Sequence, residues 1–570
     1  MNTTKQSKKK KISGSEAVIL SLLNEGVDVL FGYPGGAIMP VYDAMHDYHD
    51  KLNHILTRHE QGAIHAAQGY ARVTGKVGVG IVTSGPGATN AVTGIADAML
   101  DSTPIVVITG QVASSLLGTD AFQEIDVVGI TQPITKWNYQ IKRAEDIPEA
   151  FAKAFFLAKS GRPGPVVLDI TKDAQFGEFE YEYKKIDFIR SYRPLPKTDY
   201  TQIDEAARLI NLAKKPMALI GQGVILGNAE KEALEFIEKA DVPAAYTLLG
   251  LSAVPSNHKL NIGMLGMHGH YAPNVKTNDV DLLIAVGMRF DDRVTGNLDK
   301  YAKKAKIIHL DIDPAEVSKN VYADISILGN VKVTLPLISQ KLSSIDRSEW
   351  LREFQKLANV ETKKIIKKEI NPAHEKLSMG EVIHNVSQAF DDDAIMVTDV
   401  GQHQMMAARY FKFKQTRSVV TSGGLGTMGF GLPAAIGAKM GKPDRDVVLF
   451  VGDGGFQMTI QELGTIFQSK MPVKVVLLNN SFLGMVRQWQ ELFFDKRYSS
   501  TELTNPDFQG ICKGYHMPSE LVDSRDKLDS AIKNLVEHEG PYLIEAIVEK
   551  EGNVFPMVPA GASVSDIRLE

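Results

Sequence analysis

The residues best equipped for chemistry lie toward the carboxyl end of the chain. Gly452-Asp453-Gly454 closes an apolar run, Val447-Val448-Leu449-Phe450-Val451, and Asn479-Asn480 closes a second one over residues 473–478. A helical stretch over residues 459–469 separates the two. Strand, helix and strand in that order make parallel neighbours, with Asp453 and Asn480 at their carboxyl ends, where open α/β sheets bind ligands. A carboxylate and an amide oxygen are hard donors suited to Mg²⁺, which usually also takes phosphate and water. The flanking glycines let the backbone approach such a phosphate closely. Gly-Asp-Gly alone is an ordinary turn; its pairing with Asn-Asn across a strand–helix–strand span makes the metal–phosphate reading the stronger one.

Three other segments carry weaker signals. His59-Glu60-Gln61-Gly62-Ala63 opens a helix, and a carboxylate is favoured there; the plainer reading is a first-turn glutamate. The run from Gly423 to Gly429 contains G-x-G-x-x-G, from Gly424 to Gly429, but a bare match of this kind is weak. His403 as a metal ligand would need clustered His or Cys partners, and the sequence offers none.

The elements that must position these residues alternate between helix and strand periodicity. Residues 15–25 are an amphipathic helix, Val29-Leu30-Phe31 a short strand, and residues 60–73 a helix before a strand at 77–83. Helix 88–100 and strands 105–109 and 165–170 follow, a βαβ series that implies a parallel sheet covered by helices. The chain of 570 residues allows about three or four domains. Expected are a disordered basic tail at 1–14 containing Lys8 to Lys11, and α/β units at 15–183, 201–344 and 378–550. A polar linker at 184–200 and a charged helical one at 345–377 join them, and an irregular arm at 551–570 ends the chain. Hydrophobic residues make up 44% and the net charge is −5, a globular profile without broad attraction to nucleic acid or anionic membrane. The single cysteine, Cys512, rules out an intrachain disulfide and fits a reducing, cytoplasmic setting. No apolar run is long enough to span a membrane.

The spaced Gly-Asp-Gly and Asn-Asn pair resembles the motif of the thiamine diphosphate (ThDP) enzymes. Over nearly its whole length the chain resembles one branch of them, the FAD-containing large catalytic subunits of the acetohydroxyacid (acetolactate) synthases. The resemblance rests on Phe31 to Ala37, Ala121 to Glu124, Gly161 to Pro165, Met264 to Gly269, Arg289 to Gly296 and Gly484 to Gln490. It implies an α/β fold of three doubly wound parallel-sheet domains: pyrimidine-binding, central FAD-binding and diphosphate-binding. It also implies the decarboxylation of pyruvate and transfer of the remaining two-carbon unit to a second 2-keto acid. Pyruvate would give 2-acetolactate and 2-ketobutyrate would give 2-aceto-2-hydroxybutyrate, toward valine, leucine and isoleucine.

Residue roles follow from the same match. Asp453, Asn480 and the Phe482 carbonyl would hold Mg²⁺ against the diphosphate, with Gly452, Gly454, Val400, Gly401, Gln402 and His403 around it. Glu60 would hydrogen-bond the aminopyrimidine from another domain, usually across a subunit interface. The Gly426 carbonyl would accept from the cofactor amino group, and Met428 would wedge under the bent cofactor; without the family match Met428 reads as a core methionine. Gly36 and Gln123 would lie near the reacting carbonyl. Arg293 would receive the second substrate's carboxylate, its plainer reading being a salt bridge with Asp291 or Asp292. Trp489 would contact the substrate alkyl group, against the alternative of a core aromatic, and Phe122, Lys172 and Met267 would line the channel. Gly221, Gly223, Met264, Met267, His268, Arg289 and Asp311 would hold FAD. Gly329-Asn330-Val331 departs from the Gly-Asp-Ala of many relatives, which leaves the adenine-side contacts open. A homodimer or homotetramer and a separate regulatory small subunit are the implied partners. Two other readings stay open: a flavin-dependent ThDP pyruvate oxidase or decarboxylase, and a non-catalytic scaffold. Loss of Glu60 or of the Asp453/Asn480 pair would mark a scaffold, and all three are present.

Overall fold

A computed structural model describes residues 11–570. Among the described residues, three six-stranded sheets form the body of the fold, and every strand pair within them is parallel. Their central strands are continuous apolar runs such as Ile105 to Ile108, Val447 to Val451 and Val475 to Leu478, all fully buried. Strands covered on both faces by helices need that composition.

The first sheet runs, edge to edge, Asn53–Leu56, Val29–Gly32, Gly78–Val82, Ile105–Gln111, Val166–Thr171 and Trp137–Ile141. The third runs Val419–Val420, Ile395–Thr398, Val447–Gly452, Lys474–Asn479, Tyr542–Ile547 and Ser519–Val522. Counted by appearance in the chain, the strands of both sheets follow the order 2-1-3-4-6-5. The middle sheet follows 3-2-1-4-5-6, from Asn261–Met264 through Ala244–Tyr246, Pro216–Ile220, Leu282–Val286 and Lys306–Asp311 to Ile325–Leu328. That order reverses direction between Pro216–Ile220 and Leu282–Val286, and the crevice at such a switch point is where doubly wound sheets take their ligands.

The outer domains meet through two buried helices, Glu60–Thr74 and Gly431–Gly441. A Cβ on Gly69 would lie 2.0 Å from the Ala434 carbonyl oxygen, and one on Gly437 only 1.8 Å from that of Ala66. The two backbones therefore touch, and glycine is required at both points.

The expected basic tail was drawn too long. Residues 1–10 lie outside the described residues, but Lys11–Ser13 form a strand antiparallel to Glu178–Glu180, and the first helix begins at Gly14. Two element boundaries also differ. The helix expected at 88–100 is two, Pro86–Asn90 and Val92–Leu100. A helix, Asp453–Met458, starts at Asp453 itself, before the turn and helix at 460–469. The C-terminal arm packs on the central domain, with Val558 N donating to the Met267 carbonyl at 2.8 Å and Asn297 N to that of Ala562 at 2.9 Å. No helix among the described residues is long and apolar enough to cross a membrane.

Candidate functional site

One cavity of about 1160 Å³ runs from the switch point of the middle sheet to the strand ends of the third. At the third-sheet end it is lined by Val400, Gly401, Gln402, His403, Gly426, Met428, Gly452, Asp453, Gly454, Asn480, Phe482 and Trp489. Asp453 and Asn480 project there because Val447–Gly452 and Lys474–Asn479 are adjacent parallel strands ending together. Asp453 is buried, and that burial pushes its carboxyl up to about 6. Its Oδ2 accepts from Asn505 Nδ2 at 2.6 Å, and Asn505 also donates to Asn479 Oδ1 at 3.0 Å. Asn480 Oδ1 accepts from Phe482 N at 3.2 Å, which turns the Phe482 backbone toward the same end.

His403 Nε2 is buried with no hydrogen-bond partner, and burial holds the ring neutral, its pKa lowered to about 4. A polar atom in that state, facing a cavity, fits an oxygen-rich ligand. Gln402 is engaged differently: its amide donates to Gln488 Oε1 at 3.0 Å and to the Gly552 carbonyl at 2.9 Å, and accepts from Asn480 Nδ2 at 3.3 Å. It braces Asn480 from behind. The described residues contain no cluster of three His, Cys, Asp or Glu side chains that could bind a metal. A metal at Asp453 would thus rely on amide and backbone oxygens, the donor set that suits Mg²⁺.

Four carboxylates that the sequence reading missed hold this end in shape. Asp399, buried at the end of Ile395–Thr398, accepts from Val400 N at 2.9 Å, Gly429 N at 3.1 Å and Gly431 N at 2.8 Å, and burial pushes it up to about 6. Asp101 of the first domain accepts from Gly423 N at 2.9 Å and Gly424 N at 2.6 Å, and Asp97 accepts from Thr427 Oγ1. The glycine-rich run therefore spends its amides on a carboxylate, which removes the dinucleotide reading of G-x-G-x-x-G. Glu462, pushed up by burial to about 7, accepts from Arg58 N at 3.1 and 3.2 Å and from Thr465 Oγ1 at 2.6 Å. A Cβ on Gly62 would touch it at 2.5 Å, so it lies under the first turn of Glu60–Thr74. The only local signal for Asp399 was its place just before Val400-Gly401.

At the middle sheet, two backbones cross. Gly223 N donates to the Gly287 carbonyl at 2.8 Å, and a Cβ on Gly221 would come within 2.3 Å of that same oxygen. The crevice beside them is lined by Met264, Met267, His268, Arg289, Arg293 and Asp311, among others. His268 Nδ1 is buried without a partner, and its pKa is lowered to about 4 by burial, then by the charges of Arg409 and Arg293. Asn330 caps the helix Val331–Ser339, its Oδ1 accepting from Lys332 N at 2.9 Å, as an aspartate there could. Arg293 lines the cavity with an exposed side chain and an ion pair to Asp292 at 3.4 Å. Met428 and Trp489 are half-buried at the cavity wall, Trp489 against Phe493 with ring centroids 5.1 Å apart.

Six of the expected residues do not line this cavity: Gly221 sits just behind the lining Gln222 and Gly223, and Glu60, Gly36, Gln123, Phe122 and Lys172 lie elsewhere. Glu60 Oε2 accepts from Asn90 Nδ2 at 3.0 Å. Gly36 is exposed, with nothing within 4 Å of where a Cβ would sit. Phe122 is 87% exposed beside Gln123, whose φ is +60°.

Comparison with known proteins bears on all three sheets. Three family models match: the N-terminal TPP binding domain of thiamine pyrophosphate enzymes at residues 12–130, their central domain at 203–338 and their C-terminal TPP binding domain at 399–546. The acetolactate synthase large subunit of Lactococcus lactis subsp. lactis is 46% identical, covering 97% of this chain and 95% of its own. The probable acetolactate synthase large subunit of Methanocaldococcus jannaschii is 45% identical over 98% of this chain and 95% of its own. Acetolactate synthase isozyme 2 large subunit of Escherichia coli K12 is 43% identical, with 98% and 99% covered.

Proposed function

The chain belongs to the thiamine diphosphate enzymes and, among them, to the acetolactate synthase large subunits, and from that premise we propose how its residues carry the reaction. It decarboxylates pyruvate and joins the two-carbon unit to a second 2-keto acid, pyruvate or 2-ketobutyrate. The observation that carries this reading is the single cavity in which Asp453, Asn480, Met428, Trp489 and Arg293 converge. ThDP supplies the carbanion chemistry when bound, and the protein supplies orientation and electrostatics.

Asp453, Asn480 and the Phe482 carbonyl hold Mg²⁺, and His403 offers its free ring nitrogen toward the diphosphate. Met428 and Gly426 hold the pyrimidine end. Arg293 binds the carboxylate of the second substrate in a two-pronged pair. Its present partner Asp292 is exposed, and an exposed pair of this kind costs little to exchange. Trp489 packs against the substrate alkyl group, where one methylene is worth about 1–3 kcal/mol.

Glu60, Gly36, Gln123, Phe122 and Lys172 act in the cavity of a second copy. Their absence from their own chain's cavity and the exposure of Phe122 support a homodimer with shared sites. Glu60 would then hydrogen-bond the aminopyrimidine of bound ThDP, and the Gly36 N–H and Gln123 amide would lie near the reacting carbonyl, where hydrogen-bond donors can stabilise developing negative charge. The middle crevice takes FAD, supported by the glycine crossing and by the free Nδ1 of His268. The relatives are large subunits, and a separate small subunit is the partner this implies.

The test is an aerobic assay of the purified protein with pyruvate, ThDP and Mg²⁺, with and without FAD. Acetolactate formation that needs FAD, with negligible oxygen uptake, is the expected result. Oxygen uptake matching pyruvate loss, with little acetolactate, would move the assignment to a flavin oxidase.

A further inference from the structure

The two halves of the cavity are tied together by a buried charge outside both cofactor sites. Arg409 lies in the last turn of the helix Gln402–Tyr410, whose first turn carries Gln402 and His403. Its side chain is fully buried, pairs with Glu361, and donates to the backbone carbonyls of His268 at 2.9 Å and Gly269 at 2.8 Å. Glu361 is also buried, and its other oxygen accepts from Tyr271 N at 2.7 Å. It ends the helix Ser348–Glu361, where the chain passes into a π-helical turn, Thr362–Ile366. Such turns are frequent at functional sites.

The loop that Arg409 grips is the wall of the middle crevice. Met264, Leu265, Met267 and His268 line the cavity. Asn274 closes the loop from behind, donating to the carbonyls of Gly266 at 3.1 Å and His270 at 2.9 Å. One guanidinium thus holds the outer side of the loop whose inner side would meet the flavin. The same side chain is carried on the helix that begins at the diphosphate-facing turn. A buried ion pair is weak evidence for stability, because apolar groups of similar volume often serve as well. What it supplies here is a fixed geometry between two sites.

We propose that Arg409, with Glu361 as its counter-charge, is a positioning residue that couples the flavin crevice to the diphosphate turn, so that each cofactor strengthens binding of the other. This rests on the flavin reading given above. Coupling of this kind is reciprocal: the factor by which ThDP with Mg²⁺ tightens FAD equals the factor by which FAD tightens ThDP.

The experiment titrates the full-length protein with FAD, followed by flavin fluorescence, with and without saturating ThDP and Mg²⁺. ThDP is then titrated with and without FAD. In the wild type both factors are expected to be equal and about fivefold or more. Arg409→Met combined with Glu361→Gln removes both charges while leaving an acceptor for Tyr271 N. In that variant both factors fall to within about twofold of one. Arg409→Lys keeps the charge but loses the planar fork, and regains only part of the coupling. A wild-type factor of one, or an unchanged factor in the double variant, overturns the proposal. If the double variant does not fold, an unchanged factor in Arg409→Lys overturns it. A wild type that binds no FAD removes the flavin reading and the coupling together, whereas FAD binding with unaltered coupling removes only the latter.

Discussion

In the first domain, the helix after the second strand opens with Glu60, and the third strand runs into Ser84-Gly85-Pro86-Gly87. In the third domain, the helix after the second strand opens at Gly431, and the third strand runs into Gly452-Asp453-Gly454-Gly455. The strand order is the same, 2-1-3-4-6-5, but the carboxylate sits in a different loop. One copy of the topology presents a carboxylate, Glu60, at a helix start, and the other presents Asp453 where a strand ends. Fold alone would not distinguish them; the loops do. Both copies depend on each other's carboxylates. Glu462 of the third domain accepts from Arg58 at the foot of the Glu60 helix, and Asp101 of the first accepts from the glycine run beside Met428. The two equivalent helices, Glu60–Thr74 and Gly431–Gly441, meet backbone to backbone.

The division of labour can be broken one domain at a time. Glu60→Gln is expected to lower acetolactate formation by about 10²- to 10⁴-fold, the usual worth of a proton-transfer group. ThDP binding, measured by titration, should persist, because the diphosphate end is untouched. Near-wild-type carboligation would remove Glu60 from the activation route. On the other sheet, Asn505→Ala frees Asp453 from its orienting partner. Groups behind a metal ligand are commonly worth about 10- to 100-fold in metal affinity. A Mg²⁺ titration of ThDP binding should show that loss, and an unmoved midpoint would make Asn505 a bystander.

The seam between the domains gives smaller effects. Gly437→Ala drives a methyl into the Ala66 carbonyl and should cost about 1–3 kcal/mol in urea unfolding. Gly36→Ala, with open space around it, should leave stability unchanged. Equal effects at both positions would mean that the helix contact is looser than described. A pH-dependent effect concerns Glu462. Burial raises its folded value from 4.5 to about 7, so between those values the native state holds more protons than the unfolded chain. Stability contributed by this group therefore falls as pH rises through that window. Glu462→Gln should flatten the fall of melting temperature between pH 4.5 and 7; a curve parallel to the wild type would contradict this.

Much of this was legible in the chain. Val447 to Val451 and residues 473–478 announce buried parallel strands because neither face can be polar. The edge strands were not seen, because Asn53–Leu56 and Trp137–Ile141 are half-exposed and mix polar with apolar residues. At the site, Asp453, Asn480, Met428, Arg293 and Trp489 do converge on one cavity. Asp97, Asp101, Glu462 and Asn505 carried no local pattern, and Asp399 only its place before Val400-Gly401. Their partners lie far along the chain, as Arg58 does from Glu462, and only folding brings them together.

Glu60 lies outside the cavity of its own chain, and this has a genetic consequence. A gene carrying Glu60→Gln and a gene carrying Asp453→Ala would each be silent alone. In the shared-site homodimer proposed above, their products expressed together would form mixed dimers in which one site inherits both lesions and the other inherits neither. Two dead alleles would then complement within a single gene, whereas a site built entirely within one chain would leave the pair silent.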